Sequence, residues 1–354
     1  MPQPFSGILN FQIMKDDLQL ISLFSGAGGL DLGFHKAGFT TKLATDNWEV
    51  SCNTLRYNGI SSNVIQCDVS ELELPKDLTN TDIDCLIGGP PCPPFSKSRF
   101  YLPDKPRGIK DEVGFNTING FLKTLSILKP RSFVFENVHG FVYKPHQESL
   151  SLLLDQTQQL GYSVSWQVLN AADYGVPQTR ERFFCVGLYK GLGDFEFPAP
   201  THSRNNKLLK PWVTAGEAIG DIDYPMEEDV SKQAGSKHEA LLKEIPEGEN
   251  YLYFTSKRGH SNPIFEWRSR YWSFLLKLSR SRPSWTIQAS FSNNMGPFHW
   301  NNRFLRILEI KRLQTFPDDF QLNGRFQDQW RLVGNAVPPQ LSYSIANQLR
   351  NYLI

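Results

Sequence analysis

The sequence predicts an α/β fold: a mostly parallel sheet with helices on both faces, followed by a smaller, irregular region. Short apolar runs alternate with helical stretches over residues 20–188, the pattern of strands joined by right-handed crossovers. Near residue 190 the alternation gives way to turn-rich sequence such as FPAPTHSRNNKLLKPW. Several early strands run into glycine-, proline- or acid-bearing segments, at the carboxyl edge where such sheets bind ligands.

QLISLF (19–24) reads as the first buried strand, GLDLGFHKAGF (29–39) as the helix after it and 40–46 as the second strand. DIDCLIGG (82–89) is a further strand before a Pro-rich loop. FLKTLSILKP (121–130) is a helix stopped by Pro130, and RSFVFENV (131–138) returns to strand. Leu150, Leu153, Leu154, Thr157 and Leu160 keep helical spacing up to a Gly161 cap. YSVSWQVL (162–169) and RFFCVGLY (182–189) are strands. RILEIKRLQTF (306–316) is helical, and Pro338 and Pro339 start a last helix over 337–349.

At 354 residues the chain is long enough for about two domains. Lys and Arg number 37 against 36 Asp and Glu, and 40% of residues are hydrophobic and 21% charged. That composition excludes collagen-like, disordered and coiled-coil classes. No apolar run approaches the roughly 18 residues of a membrane span, and the first residues lack the basic start and apolar stretch of a signal peptide. Five cysteines are scattered without a CxxC pair, and seven histidines form no metal-spaced cluster with them. Neither a metal site nor a disulfide framework is expected, and a reducing cytoplasm is. With a net charge of +1, any nucleic-acid surface must be local.

FSGAGGLDLGF (24–34) turns the first strand into a helix, and Gly26, Gly28 and Gly29 permit a tight turn and close backbone approach. Asp46 ends the second strand 20 residues after Gly26, where a carboxylate meets a ribose. This favours a nucleoside-containing cofactor over a bare turn. Asp31 replaces the third glycine of the dinucleotide fingerprint, and no hydride-site histidine is visible, which disfavours an NAD oxidoreductase. Asp68 either holds an adenine amino group or caps a helix. Cys92, in GGPPCPPFSKS (88–98), sits on a loop stiffened by Pro90, Pro91, Pro93 and Pro94, as a nucleophile to be aimed would. Glu136 and Asn137 end the strand FVFENV, and a carboxyl among such apolar neighbours should hold its proton more tightly; the alternative is an edge carboxylate capping a turn. Arg180 and Arg182 alternate on one strand face, suited to a phosphate or carbonyl oxygen, or to salt bridges with Glu181 or a neighbour.

Residues 221–249 carry nine acidic residues against three Lys and read as a solvated segment. Residues 257–282 carry Lys257, Arg258, Arg268, Arg270, Lys277, Arg280 and Arg282 against Glu266 alone, threaded with Phe265, Trp267, Tyr271, Trp272 and Phe274. This is either a nucleic-acid surface or a packing element with exposed arginines. The segment 96–110 adds five Lys or Arg beside Cys92 and reads as a closing loop.

Taken in order, SGAGGLDLGF, GGPPCPPFS, FENV, QTRERF, RILEIKRLQTFP and GNAVPP resemble the ordered motifs of the DNA (cytosine-5) methyltransferase family, over roughly 19–190 and 303–350. The resemblance implies the Rossmann-like S-adenosylmethionine-dependent methyltransferase fold. It implies a catalytic and cofactor domain at 1–193, a target-recognition domain at 194–318 and a C-terminal segment at 319–354 that returns to the first. It implies Cys92 as nucleophile, Glu136 at the ring nitrogen of the base, Arg182 at its oxygen, and Arg180 at the Cys92 loop or a phosphate. It implies S-adenosylmethionine, leaving as S-adenosylhomocysteine, beside Phe24, Gly26, Gly28, Leu30, Asp46, Asn47, Asp68, Pro91, Asn335 and Val337. Duplex DNA would meet Ser96, Ser98, Arg99, Arg258, Arg268, Arg270 and Arg282. The resemblance implies that a flipped cytosine is methylated on carbon 5, with no metal, and a monomer in the bacterial cytoplasm at the nucleoid is expected. A cognate restriction endonuclease would be a functional partner. A tRNA-modifying member on the same fold is the alternative, and a non-catalytic DNA-binding descendant is disfavoured because no catalytic position is visibly lost. Two positions depart from the family pattern: Pro93 stands where glutamine is common, and KDEVGFN (110–116) where an Asp-x-Arg-Gly run is common.

Overall fold

The computed structural model describes residues 17–79, 82–91, 93–95, 106–230 and 234–354. The first half runs β1 (Leu18–Leu23), α1 (Gly29–Lys36), β2 (Phe39–Asp46), α2 (Glu49–Tyr57), β3 (Val64–Gln66), α3 (Lys76–Thr79), β4 (Cys85–Gly88), α4 (Glu112–Leu128), β5 (Ser132–Val138), α5 (Gln147–Gln159), β6 (Tyr162–Asn170), β7 (Gln178–Thr179) and β8 (Glu181–Tyr189). The second half has less regular structure: β9 (His202–Ser203), β10 (Lys210–Pro211), α6 (Ala215–Ile219), α7 (Glu227–Val230), α8 (Glu239–Glu244), β11 (Ser284–Trp285), α9 (Ile307–Leu313), α10 (Phe326–Asn335) and α11 (Pro339–Leu353).

Seven strands form the central sheet in the order β3-β2-β1-β4-β5-β8-β6. The first five are parallel, and β8 runs antiparallel to both β5 and β6. The exception has a simple cause. Residues 171–180 join β6 to β8 with no crossover α-helix, so the chain returns antiparallel. The chain leaves β1 toward β2 on one side and β4 lies on the other, which opens a crevice at the carboxyl edge of β1. Because β8 is antiparallel, its amino end reaches that same edge, with Arg182 opposite Val138.

The strands are apolar because both faces are covered. On one face β1 and β4 pack with α1 and α11 around Leu20, Phe34, Ile87, Leu341 and Ile345. On the other, Phe133 and Phe135 lie 6.0 and 5.2 Å from Phe121 of α4, in edge-on geometry; burial of each such ring is worth about 1.5–3 kcal/mol. α4 starts nine residues before the expected Phe121, because the Asp111 side chain accepts from the backbone N–H groups of Val113 and Gly114 at 3.1 and 3.4 Å. It ends where expected: Lys129 turns left-handed (φ 45°) ahead of Pro130.

α11 closes the chain back onto its beginning. Ser342 Oγ donates to the Leu30 carbonyl at 2.6 Å. A Cβ on Gly33 would lie 2.4 Å from the Ser342 Cβ and from the backbone nitrogen of Tyr343, so only glycine lets the two helices come this close. A third core joins Ala27, Leu32 and Leu55 to Ile219, Leu278, Ile287 and Ile310, so the later region is anchored on the first. A fourth, around Tyr251, Phe254, Phe274 and Phe298, lies entirely within residues 234–304.

A buried ionic cluster in the later region was invisible in sequence. Glu309 is fully buried and takes Arg303 at 2.9 and 2.6 Å. Arg306 donates to the carbonyls of Ile222 and Tyr224 at 2.8 and 2.6 Å and pairs with Asp229. His299 is fully buried, 3.5 Å from Asp223 and 3.6 Å from Glu309. Burial first, then the Arg303 charge, lowers its pKa to about 3, so at neutral pH it is uncharged. No helix among the described residues is long and apolar enough to cross a membrane.

Candidate active site

The loop after β1 folds tightly because Phe24, Gly26 and Gly28 all take positive φ, at 53, 56 and 76°. Gly28 caps α1 without a side chain to accept from the first turn, and the Asp31 carboxyl takes its own N–H; such a helix start suits a carboxylate. A Cβ on Gly26 would meet only the Phe24 carbonyl, at 4.0 Å. That glycine therefore makes room for something other than protein. A Cβ on Gly29 would instead strike the Val337 carbonyl at 2.2 Å, so the C-terminal segment lies directly against the loop.

Asp46 ends β2 and braces the loop. Its Oδ2 accepts from the Gly26 N–H at 2.9 Å and its Oδ1 from the Trp48 N–H at 2.9 Å; burial raises its pKa. Asn47 is exposed beside it. Asp68 is exposed and caps a short turn, its Oδ1 accepting from Ser70 N and Oγ at 2.9 and 2.6 Å. The capping role is thus present, with both contacts on one oxygen. Leu30 and Val337 are 8% and 5% exposed and belong to the core under the loop, and Asn335 is exposed at the end of α10.

In sequence, Asp31 only breaks the dinucleotide fingerprint. The structure gives it a positive part. It is fully buried and accepts from Ser22 Oγ at 3.0 Å and Thr41 Oγ1 at 3.1 Å. Ser22 Oγ in turn lies 2.8 Å from Ser25 Oγ in the loop. Burial raises the Asp31 pKa to about 6, against a lesser opposing pull from the two hydroxyls. An acid whose pKa is higher folded than unfolded stabilises the fold most below the unfolded value. Stability should fall by on the order of 3 kcal/mol as pH rises from about 4 through about 6. In the Asp31→Asn variant, denaturant unfolding across that window should lose this slope; an unchanged slope would place the effect elsewhere.

At the end of β5, Glu136 Oε1 lies 3.0 Å from Arg182 Nε, both side chains nearly buried. Burial raises the Glu136 pKa, and the charges of Arg182 and then Arg180 partly oppose it. Arg182 Nη1 donates to the Glu181 carbonyl at 2.8 Å; Nη2 has no partner among the described residues. Glu181 pairs with His139 at 2.8 Å rather than with either arginine. Asn137 is buried and donates to the Pro90 carbonyl at 3.3 Å, which fixes the start of the proline loop beside Glu136. Pro91 is half-buried at the head of that loop. Cys92, Ser96, Ser98 and Arg99 lie outside the described residues.

Arg180 needs a correction. It is fully buried, so a DNA phosphate cannot reach it. It donates to the carbonyls of Ile287 at 3.1 Å, Gly334 at 2.8 Å and Asn335 at 3.3 Å. Beside it, Gln178 donates to Gln314 Oε1 at 3.0 Å, and Gln314 to the Val333 carbonyl at 2.7 Å. Residues of QTRERF, RLQTF and GNAVPP thus meet in one buried polar seam. Lys277 is also not surface charge: it is buried on the Ile245 carbonyl, and burial brings its pKa down to about 8. The 257–282 stretch divides accordingly. Phe274, Leu275, Leu276 and Leu278 are core, Arg280 is tied to Glu247 and Asp223, and Arg258 pairs with Glu249 at 3.3 Å. Arg258, Arg268, Arg270 and Arg282 are exposed.

A parallel sheet with this switch point, glycine loop and acid-tipped second strand defines a Rossmann-like methyltransferase. The chain belongs to the C-5 cytosine-specific DNA methylase family, whose sequence model matches residues 18–351, and it is a DNA cytosine-5 methyltransferase. It is 34% identical to the Type II methyltransferase M.SacI of Streptomyces achromogenes, over 96% of this chain and 94% of that one. It is 34% identical to the Type II methyltransferase M.NgoFVII of Neisseria gonorrhoeae, over 97% and 89%. A solved DNA modification methyltransferase encoded within an E. coli prophage shares the fold at a TM-score of 0.70 and 24% identity, over 95% of this chain and 99% of that one. The S. pombe Dnmt2 methyltransferase superposes at 0.63 with 17% identity, over 95% and 99%. Family members use S-adenosylmethionine, and the open space over Gly26 with a helix start capped only by Gly28 fits such a group.

Proposed function

We propose that this chain is the modification enzyme of a restriction–modification system and methylates one cytosine of a specific duplex site. The observation that carries the chemistry is the nearly buried Glu136–Arg182 pair at the edge where Asn137 fixes the proline loop. S-adenosylmethionine, when bound, supplies an electrophilic methyl group. Phe24, Gly26, Gly28 and Asp46 would hold it, with Val337 closing the loop from behind.

Cytosine carbon 5 is a weak nucleophile. Addition of the Cys92 thiolate to carbon 6 breaks the ring's aromaticity and drives negative charge toward carbon 5, N3 and O2. Glu136, keeping its proton to higher pH than an ordinary carboxyl, donates to N3. Arg182 Nη2 meets O2. Both act where charge develops, in a site shielded from water. Once carbon 5 carries the methyl group, loss of its proton to a base and expulsion of the Cys92 sulfur would restore the ring. A stacked base cannot present carbon 6, so the cytosine is extruded. Residues 194–318 form the recognition domain and 319–354 complete the catalytic one. Relatives named as Type II methyltransferases support the restriction–modification role. An endonuclease of the same specificity is its functional partner, and the enzyme works as a monomer in a bacterial cytoplasm.

Bisulfite sequencing of DNA from cells expressing the chain should show 5-methylcytosine at one sequence. Competition between duplex DNA and tRNA for labelled methyl groups should favour DNA; preferential labelling of tRNA would overturn the reading. Glu136→Gln keeps the shape of the side chain but removes its transferable proton. It should lower kcat by roughly 10²–10³-fold and remove the alkaline fall in kcat that follows Glu136 ionisation. Retention of that fall in the variant would reassign the group.

A further inference from the structure

The recognition region leaves large aromatic side chains in water: Trp267, Tyr271, Trp272 and Trp285 are 37, 53, 49 and 40% exposed. Two of them form a unit. The rings of Trp272 and Trp285 stand 5.5 Å apart at 71°, a preferred edge-to-face contact. Both backbones are pinned. Asn250 Nδ2 donates to the Trp272 carbonyl at 2.7 Å. Trp285 lies in β11, in register with Thr179 of β7. Thr179 Oγ1 donates to the Ser284 carbonyl at 3.1 Å, and Thr286 Oγ1 to the Thr179 carbonyl at 2.8 Å. The pair is therefore a shelf anchored at both backbones.

Its place is informative. Three residues beyond Thr179 the chain reaches Arg182, at most roughly 10 Å of extended strand. Two residues beyond Trp285, the Ile287 carbonyl accepts from Arg180. The shelf thus stands at the threshold of the catalytic edge. Exposed Arg268 and Arg270 lie in the same segment as Trp272, and Lys257 Nζ sits 4.6 Å over the Trp267 ring. Cations and bare aromatic faces together match a polyanion with stacked bases.

Extruding a cytosine leaves an opened step in the duplex, and proteins that unstack DNA offset the cost by placing an apolar or aromatic side chain against the exposed bases. We propose that the Trp272–Trp285 shelf receives the base step opened when the target cytosine leaves the helix, with Trp285 stacking on it. The proposal rests on the DNA methyltransferase reading above and adds the part of the DNA that these side chains meet.

The test uses the full-length enzyme and the site mapped by bisulfite sequencing. Three duplexes are compared: one with the site intact, one with an abasic position in place of the target cytosine, and one without the site. Trp285→Ala should bind the abasic duplex about ten-fold more weakly than wild type. It should also lose most of the fluorescence rise of 2-aminopurine placed at the target position. Binding to the siteless duplex should stay within two-fold, and Trp285→Phe should restore most of the loss. Trp272→Ala, which leaves β11 untouched, should show the same pattern at smaller amplitude and covers the case in which Trp285→Ala does not fold. Abasic-duplex affinity within two-fold of wild type for both folded variants would overturn the proposal. So would an equal loss on all three duplexes, which marks ordinary groove contact. Absence of methylation by the wild type would instead remove the reading beneath it.

Discussion

Cys92→Ser should abolish methyl transfer while leaving S-adenosylmethionine binding intact. The expected loss is on the order of 10⁴-fold, about 5 kcal/mol of barrier, because a serine hydroxyl does not ionise near neutral pH and a thiol at a suitable site does. The other four cysteines offer no substitute. Burial raises the thiol pKa values of Cys52 and Cys67, raises that of Cys85 to about 12, and raises that of Cys185 further still. Cys85 and Cys185 also lie inside strands of the sheet. The described residues on either side of Cys92 are held in place. Asn137 holds the Pro90 carbonyl before it, and after it Phe95 packs 4.8 Å from Phe141 beneath Gly140, where a Cβ would come within 2.2 Å of the Phe95 carbonyl. Two measurements settle the matter: labelled methyl transfer to DNA, and isothermal titration with cofactor. A duplex carrying 5-fluorocytosine at the target should become covalently trapped by wild type and not by the variant. Methylation surviving in Cys92→Ser would end the nucleophile assignment.

Much of the site could be read from local pattern, for a physical reason. In a parallel sheet every crossover returns the chain to the same end, so residues that close successive strands gather at one edge. Phe24, Asp46 and Glu136 could be placed there from strand boundaries alone. The antiparallel β8 was not legible, since the short turn that replaces a crossover helix over 171–180 carries no periodic signal. Nor was the start of α4 at Asp111, whose capping geometry outweighs a modest apolar pattern. Buried polar partners were the larger loss. Asp31, Arg180, Lys277 and His299 are all buried: Asp31 on Ser22 and Thr41 of the flanking strands, and Arg180, Lys277 and His299 through contacts with segments farther away in the chain. Arg180 meets carbonyls more than a hundred positions away, which no local window reports. The charge excess at 257–282 misled in part for the same reason: Lys277 faces inward, while Trp267, Tyr271 and Trp272, aromatic residues that look like core, are exposed.

Arg180→Met should destabilise the whole protein and disturb the active site in one step. The guanidinium satisfies the carbonyls of Ile287, Gly334 and Asn335, joining the recognition region, α10 and the sheet at one buried point. Methionine fills similar space but donates nothing, so two buried carbonyls and the part-buried Asn335 carbonyl lose a charged donor. Hydrogen bonds to charged groups contribute about 1.5–3 kcal/mol each, and orphaned acceptors pay part of that again. A net loss of about 3–5 kcal/mol is expected, seen as a Tm lower by roughly 5–15 °C. Lysine should not rescue it, since one ammonium cannot span carbonyls on two segments as a planar fork does. The same substitution removes a positive charge that helps hold the Glu136 carboxyl down. Its pKa should then rise further, and the alkaline limb of kcat should move to higher pH in whatever enzyme remains folded. A purely structural role would lower Tm without moving that limb. A Tm within a degree or two of wild type would show that these bonds are not holding the seam. A shifted limb with full stability would make Arg180 an electrostatic partner of Glu136 first and a strut second.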